Sequence, residues 1–364
     1  MKISCSKDAL LNGLQSVQSI VSTKGALPIL LNVLIETEDE SVSLSTTDLE
    51  IGIKSRVEAK IKKKGGTTLP AKRLFGIVKD FPGDVIEIDI TENNVATITS
   101  KKDNFRIMGL SKDDFPKIPI FKDSGAITMK KSAIKDLIKK TSYAVSQEET
   151  RYTLNGIYIM VKDGYMTMVA TDGRRLALAS AVTSDDGENR DGVIVPSKAI
   201  NELMRMLSGD DEIKIKISEN QIMFEFDSII LVSKLIEGRF PDYEQVIPKK
   251  AKQQVKISRD EMLAVIKRAA LITSDKSKSV KLTFSKGQLL VESNAPDVGE
   301  YKGEIPLGYK EEEVKMAFNP DFLTDVLKSI EEEEITFEFS DSLNPGVVKS
   351  GNNFIYVIMP MRIS

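Results

Sequence analysis

The chain has 364 residues, 41% hydrophobic and 29% charged, with a net charge of -3; this length predicts two or three domains, each able to bury a core without metal or disulfide. It has no histidine and one cysteine, Cys5, which removes the commonest general base, the commonest metal ligand and any intramolecular disulfide. With no GxxxxGK[ST] or GxGxxG pattern, no apolar run near about 18 residues and no charged-then-apolar leader after Met1, a phosphate cradle, a membrane span and an export signal are not indicated, and a reducing, cytoplasmic setting is expected.

In chain order, KISCSKDALLNGLQSV from Lys2 predicts a short strand running into an amphipathic helix. The alternating segment from Val42 to Val57, broken by a polar turn, predicts a hairpin, and LPAKRLFGIVKDF opens a second helix at Pro70. Asp114-Phe115-Pro116 closes the unit, and a Pro/Lys-containing join follows to Gly125.

The same order then returns. AITMKKSAIKDLIKKTSYAV from Ala126 is a strand and helix, Tyr165 to Ala181 a hairpin, VPSKAINELMRML at Pro196 a helix, and Arg239-Phe240-Pro241 a closure. It begins a third time with VKISRDEMLAVIKRAALI from Val255, a hairpin from Val280 to Ser293, and NPDFLTDVLKSI at Pro320. The helix prolines at 70, 196 and 320 are spaced by 126 and 124 residues, and the closing prolines at 116 and 241 by 125. One shared period predicts three repeats, bounded as 1-121, 125-248 and 252-364. Each is an antiparallel sheet with two helices segregated to one side, an α+β architecture.

In the middle opening helix, Ile134, Leu137, Ile138 and Thr141 share one face while Lys131, Lys135 and Lys139 form another stripe. The six helical windows together carry +7, leaving -10 for the rest of a chain whose net charge is -3. If the helical sides of the repeats face a common axis, a cationic lumen lies inside an acidic shell and attracts phosphate oxygens without reading bases. Lys135, Lys139, Lys198 and Arg205 are the basic residues this charge reading selects.

The segments LPIL (Leu27 to Leu30), TDLEI (Thr47 to Ile51), RYTLNGIY (Arg151 to Tyr158), ATDGRRLA (Ala170 to Ala177), EGRFPDY (Glu237 to Tyr243) and VIMPMR (Val357 to Arg362), in this order and spacing, resemble the bacterial replicative sliding clamps, the beta subunits of DNA polymerase III. The resemblance covers the whole chain. It implies a head-to-tail homodimer of three-domain protomers: a six-domain ring around duplex DNA, helices inward and sheets outward. It implies no catalysis, cofactor or metal. The implied partners are the polymerase III alpha subunit, the clamp-loader complex and other replication and repair proteins, bound through short linear motifs.

It further implies a partner-peptide pocket of Arg151, Leu154, Thr171, Gly173, Arg174, Arg175, Leu176, Pro241, Val246, Leu343, Val357, Met359, Pro360, Met361 and Arg362. Apolar and methionine side chains suit an adaptable groove for hydrophobic peptide residues. DNA contacts carried over are Lys24, Lys72, Arg73, Glu148 and Tyr152. For the dimer contact, Arg73, Phe105 and Ile107 would meet Leu271 and Ile272. The plainer readings are a type I′ turn at Asp172-Gly173, a strand tail at Met359-Pro360-Met361, and core packing for Phe105, Ile107, Leu271 and Ile272.

Two other function classes compete. Asp48, Asp172 and Asp242 could gather as Mg²⁺ ligands in a nuclease, although the first two occupy equivalent turns of different repeats. Alternatively, the basic helices could bind an acidic protein partner.

Overall fold

The computed structural model describes residues 1–21, 27–119, 121, 125–183, 189–273 and 278–362. Helices fall at all six predicted positions: α1 (Lys7–Val17), α2 (Ala71–Asp80), α3 (Lys131–Thr141), α4 (Ser197–Met206), α5 (Arg259–Ala270) and α6 (Pro320–Ser329). Short polar side chains satisfy the orphan amides at three of the helix starts. Ser6 Oγ accepts from the Ala9 amide at 3.1 Å, Ser258 Oγ from Glu261 at 3.4 Å, and Asn319 Oδ1 from Asp321 at 2.9 Å. Of the three marker prolines, only Pro320 begins its helix; Pro70 and Pro196 are the last residues of the strands Gly66–Pro70 and Arg190–Pro196.

The chain forms two compact bodies. One comprises residues 1–132 with 201–235, the other residues 133–200 with 236–364. In the first body, a five-stranded sheet runs Lys60–Lys63, Lys2–Ser6, Val85–Ile90, Val95–Ser100, Asp103–Met108. Its eight-stranded sheet runs Ile127–Lys130, Glu212–Ile217, Gln221–Phe226, Ile229–Lys234, Ile51–Glu58, Ser41–Thr47, Asn32–Thr37, Gly66–Pro70.

In the second body, an eight-stranded sheet runs Arg190–Pro196, Gly156–Lys162, Tyr165–Thr171, Arg175–Val182, Phe354–Ile358, Gly346–Ser350, Glu334–Phe339, Gln253–Ser258. A four-stranded sheet runs Gly299–Pro306, Gln288–Ala295, Val280–Ser285, Val314–Phe318. Each eight-stranded sheet is thus two halves, four strands from one repeat and four from the next. The halves join by antiparallel pairing of Ile51–Glu58 with Ile229–Lys234, and of Arg175–Val182 with Phe354–Ile358. The middle repeat is therefore divided between the two bodies.

The helices bury their apolar stripes on these sheets. Leu10, Leu14 and Val17 of α1 are buried where the helix packs on Ser41–Thr47 and Ile51–Glu58, and α5 packs on α6 and on Gln288–Ala295 and Gly299–Pro306. Gly13 allows the close approach of α1, because a Cβ there would lie 2.5 Å from Val57 Cγ2 and 3.0 Å from Leu44 Cδ1. Alanine improves helix propensity by about 1 kcal/mol, but overpacking a core costs about 1–3 kcal/mol, so Gly13→Ala is expected to destabilise by about 1 kcal/mol. Urea unfolding checks this, and a variant more stable than the parent would contradict it.

On α3, the predicted apolar face is buried through Ile134, Leu137, Ile138 and Thr141. The predicted lysine stripe loses one member. Lys131 is only 2% exposed, its ammonium 2.8 Å from Asp227 and 3.3 Å from Asp211. Those carboxylates hold it in place and push its pKa up, the hydrogen bond to Asp227 contributing most. Helical periodicity alone cannot detect a pairing so distant in sequence.

Candidate partner-peptide groove and basic helix faces

The proposed pocket residues all lie in the second body, and they divide into a buried floor and an exposed rim. Leu154, Leu176 and Val357 are buried in one cluster with Val169, Ile194, Phe240 and Val347. Leu154 arrives at the end of the turn Glu149–Leu154, while Leu176 and Val357 pair across the seam of the eight-stranded sheet. Phe240 stacks on Tyr158 with ring centroids 4.9 Å apart, and Tyr243, Ile236, Ile247 and Ile355 pack against the same cluster. Sequence reading missed this aromatic and branched support. The signal was present in the EGRFPDY segment, which served there as a repeat marker and a family landmark and gave only Pro241 to the pocket.

The rim is anchored through its backbone. Asp172 Oδ1 accepts from the amides of Arg174 at 2.9 Å and Arg175 at 3.0 Å, and Thr171 Oγ1 donates to the Arg175 carbonyl at 2.7 Å. Gly173 has φ 84°, but Asp172 is not among the positive-φ residues, so the turn is not type I′. Beyond Ile358 the backbone amide of Met359 donates to the Arg174 carbonyl at 2.9 Å, and that of Met361 to Ala317 at 2.7 Å. The Met359-Pro360-Met361 segment therefore leaves the last strand but stays fixed. Its methionines remain open, Met359 42% and Met361 38% exposed. Pro241, Val246, Gly173, Arg174 and Arg362 are also exposed, Thr171 and Pro360 are half-buried, and Leu343 is 84% exposed. An exposed apolar rim over a buried apolar floor can take up hydrophobic side chains of an extended peptide.

Two charged residues, Arg175 and Glu148, sit differently from their sequence assignment. Arg175 faces away from solvent: its guanidinium meets Asp325 at 2.7 Å, Asp172 at 3.1 Å and the Tyr143 carbonyl at 2.5 Å, and stacks 4.2 Å over the Phe322 ring. It braces the groove rather than lining it. Arg151 donates to the Asp172 carbonyl at 3.1 Å and pairs with Glu148 at 3.1 Å, so the Glu148 carboxylate orients a rim arginine.

The basic residues are uneven. Lys72 and Arg73 on α2, Lys135 on α3 and Lys198 on α4 are exposed, as is Tyr152. Lys139 pairs with Glu331 at 2.7 Å, and Arg205 with Glu202 at 2.9 Å and with Ser19 at 2.5 Å. These ion pairs weaken both as independent phosphate ligands. Lys24 lies outside the described residues.

Of the dimer candidates, Phe105 is 45% exposed on the edge strand Asp103–Met108 and Leu271 is 77% exposed; Arg73 is exposed and Ile272 half-buried. Ile107 is buried in the core on the face opposite to the exposed Arg106 and Met108; Phe105 shares its face but lies nearer the open end of the strand. Met108 on the same edge strand and Val298 beside Gly299–Pro306 are exposed apolar residues that sequence reading did not select.

Among the described residues, no three acidic or cysteine side chains converge as a metal site would require. The Asp172 carboxylate is already engaged by two amides and Arg175. Among the described residues, no helix is long and apolar enough to cross a membrane.

Comparison with known proteins accounts for the whole chain. Family profiles for the N-terminal, central and C-terminal domains of the DNA polymerase III beta subunit match residues 1–119, 128–242 and 244–362. A beta sliding clamp of Chlamydia muridarum is 36% identical over 363 residues, spanning 100% of this chain and 99% of its own. A sliding clamp crystal structure from Bacillus subtilis superposes with a TM-score of 0.96 at 29% identity, covering both chains fully. A sliding clamp from Bartonella birtlesii, bound to griselimycin, does so with a TM-score of 0.92 at 34% identity, again with full coverage. The chain therefore belongs to the DNA polymerase III beta subunit family, the bacterial beta sliding clamps, which are non-catalytic processivity subunits of that polymerase.

Proposed function

We propose that two copies of this chain close head to tail into a six-domain ring that encircles duplex DNA in the cytoplasm. The observation that carries this reading is the pair of open half-sheets. Within the chain, two four-stranded halves from successive repeats pair into eight strands twice over. Left over are a five-stranded sheet with end strands Lys60–Lys63 and Asp103–Met108 and a four-stranded sheet with end strands Gly299–Pro306 and Val314–Phe318; among the described residues, Asp103–Met108 and Gly299–Pro306 each have one unpaired edge. An unpaired edge is a template for another strand. Both edges carry exposed charges of both signs, Asp103 and Arg106 on one and Glu300, Lys302 and Glu304 on the other. Each protomer offers one edge of each kind, so a heterologous contact made twice closes a ring. Phe105, Met108, Leu271 and Val298 supply apolar surface near those edges. Three repeats bounded at 1-121, 125-248 and 252-364 then make six domains per ring.

The helix faces carry Lys72, Arg73, Lys135 and Lys198 toward the DNA and contact phosphates without reading sequence. The groove over Leu154, Leu176 and Val357 receives short apolar motifs from polymerase III alpha, the clamp loader and other replication and repair proteins. A particle of twice the chain mass with an annular outline is expected, and a monomer at micromolar concentration would sink the ring.

For the groove, griselimycin, which the similar Bartonella birtlesii clamp binds, is the probe on the reading that it enters this groove. Removing Met359 to Ser364 deletes the anchored rim, and griselimycin binding is expected to vanish while the particle mass stays dimeric. Unchanged affinity in the truncated chain would remove the groove assignment.

A further inference from the structure

The first body repeats the turn that anchors the rim of the proposed groove, with the same Thr and Asp hydrogen bonds. Asp48 Oδ1 accepts from the amides of Glu50 at 3.0 Å and Ile51 at 2.7 Å, and Thr47 Oγ1 donates to the Ile51 carbonyl at 2.8 Å. These are the bonds of Thr171 and Asp172. Leu49 has φ 76° where Gly173 has 84°. Gly52 pairs with Val232 across the seam as Leu176 pairs with Val357, and the Lys234 amide donates to the Glu50 carbonyl at 2.9 Å as Met359 does to Arg174. Phe115-Pro116 stands in the place of Phe240-Pro241.

The floor differs at one decisive position. Where the open groove has the leucine side chain of Leu176, this one has the bare backbone of Gly52, and the space is taken by Ile118. Three Ile118 carbons would lie 3.2 to 3.3 Å from a Cβ at Gly52. A cavity of about 120 Å³ persists there, bordered by Leu49, Ile118, Pro119 and Val232.

We propose that this is a second groove for apolar peptides, kept shut by the chain's own Pro116–Pro119 segment, with Ile118 as the internal ligand. The proposal rests on the reading of the Leu154-Leu176-Val357 groove as a peptide site. A tethered segment acts at an effective concentration of about millimolar, so even a weak intrinsic affinity keeps the groove filled. Partners then meet one open groove per chain, although the fold builds two.

The test uses the full-length chain carrying Ile118→Gly and a labelled peptide of its own sequence Phe115 to Pro119. The variant is expected to bind the peptide saturably, about tenfold or more tighter than the parent, whose tethered segment competes at about millimolar effective concentration. Griselimycin is expected not to displace it. Absence of saturable binding, or complete displacement by griselimycin, overturns the proposal; failure of griselimycin to bind the parent would instead count against the open groove.

Gly52→Leu gives a second measurement that does not depend on the vacated pocket. Leucine there must expel Ile118, and tryptic cleavage after the exposed Lys117 is expected to accelerate about tenfold, because cleavage tracks the opened population. Cleavage at the parent rate in a folded variant overturns the proposal as well.

Discussion

Clamp loaded onto a closed circular duplex is expected to stay with it through high-salt gel filtration, and to be lost once the circle is cut. Electrostatics cannot produce that pattern. Of the basic helix residues, Lys139 and Arg205 are already paired with glutamates and Lys131 is buried between two aspartates. If Lys72, Arg73, Lys135 and Lys198 made four phosphate contacts, raising salt from about 50 to 200 mM would weaken them about a hundredfold. A surface binder therefore leaves closed and cut circles alike. A closed ring with weak, sequence-independent contacts slides freely yet leaves only over an end, so linearisation should shorten retention by about two orders of magnitude at the higher salt. Equal loss from both DNA forms would exclude encirclement, whatever the particle's outline.

Arg175→Ala is expected to destabilise the second body by about 3–5 kcal/mol, the usual cost of removing one partner from a buried ion pair. The Arg175 side chain is 10% exposed and joins Asp172, Asp325 and the Tyr143 carbonyl while stacking on Phe322. Truncation leaves the carboxylate of Asp172, itself 18% exposed, without its cation and opens a cavity beside the Tyr143 and Tyr356 rings. The Asp325 side chain is 37% exposed and recovers part of its hydration, which places the expected loss toward the lower end of the range. Lysine should not restore it. Its ammonium can meet one carboxylate but cannot reproduce the planar fork or the ring stacking. Urea denaturation of the three proteins checks the order, and a loss under about 1 kcal/mol in Arg175→Ala would show that the contacts are dispensable.

The same arginine marks a boundary of what could be read from sequence. ATDGRRLA identified the turn and its place in the chain, but nothing local distinguishes Arg174, which is exposed, from Arg175, which is buried between elements distant in sequence. Lys131 poses the same problem, since its place in an i, i+4, i+8 stripe agrees with a solvated face and its aspartates lie 80 and 96 residues away. At the edge strand, alternation places Phe105 and Ile107 on one face, but how deeply each is covered depended on the elements packed there, which bury Ile107 and leave Phe105 45% exposed.

The period of about 125 residues, the six helices, the hairpins and the separation of basic helices from an acidic remainder were all determined by the sequence itself. These features depend on spacings of a few residues, or on repetition, and both survive without knowledge of the partner surface. Tertiary structure decided how the half-sheets pair across repeats, which lysines remain available, and where the aromatic floor of the groove lies. It also decided that Ile118 packs against the bare backbone of Gly52, where the equivalent position in the second body carries the Leu176 side chain. Those outcomes depend on contacts between residues tens to hundreds of positions apart, where side-chain volume at a single site, glycine or leucine, determines whether a hollow stays empty.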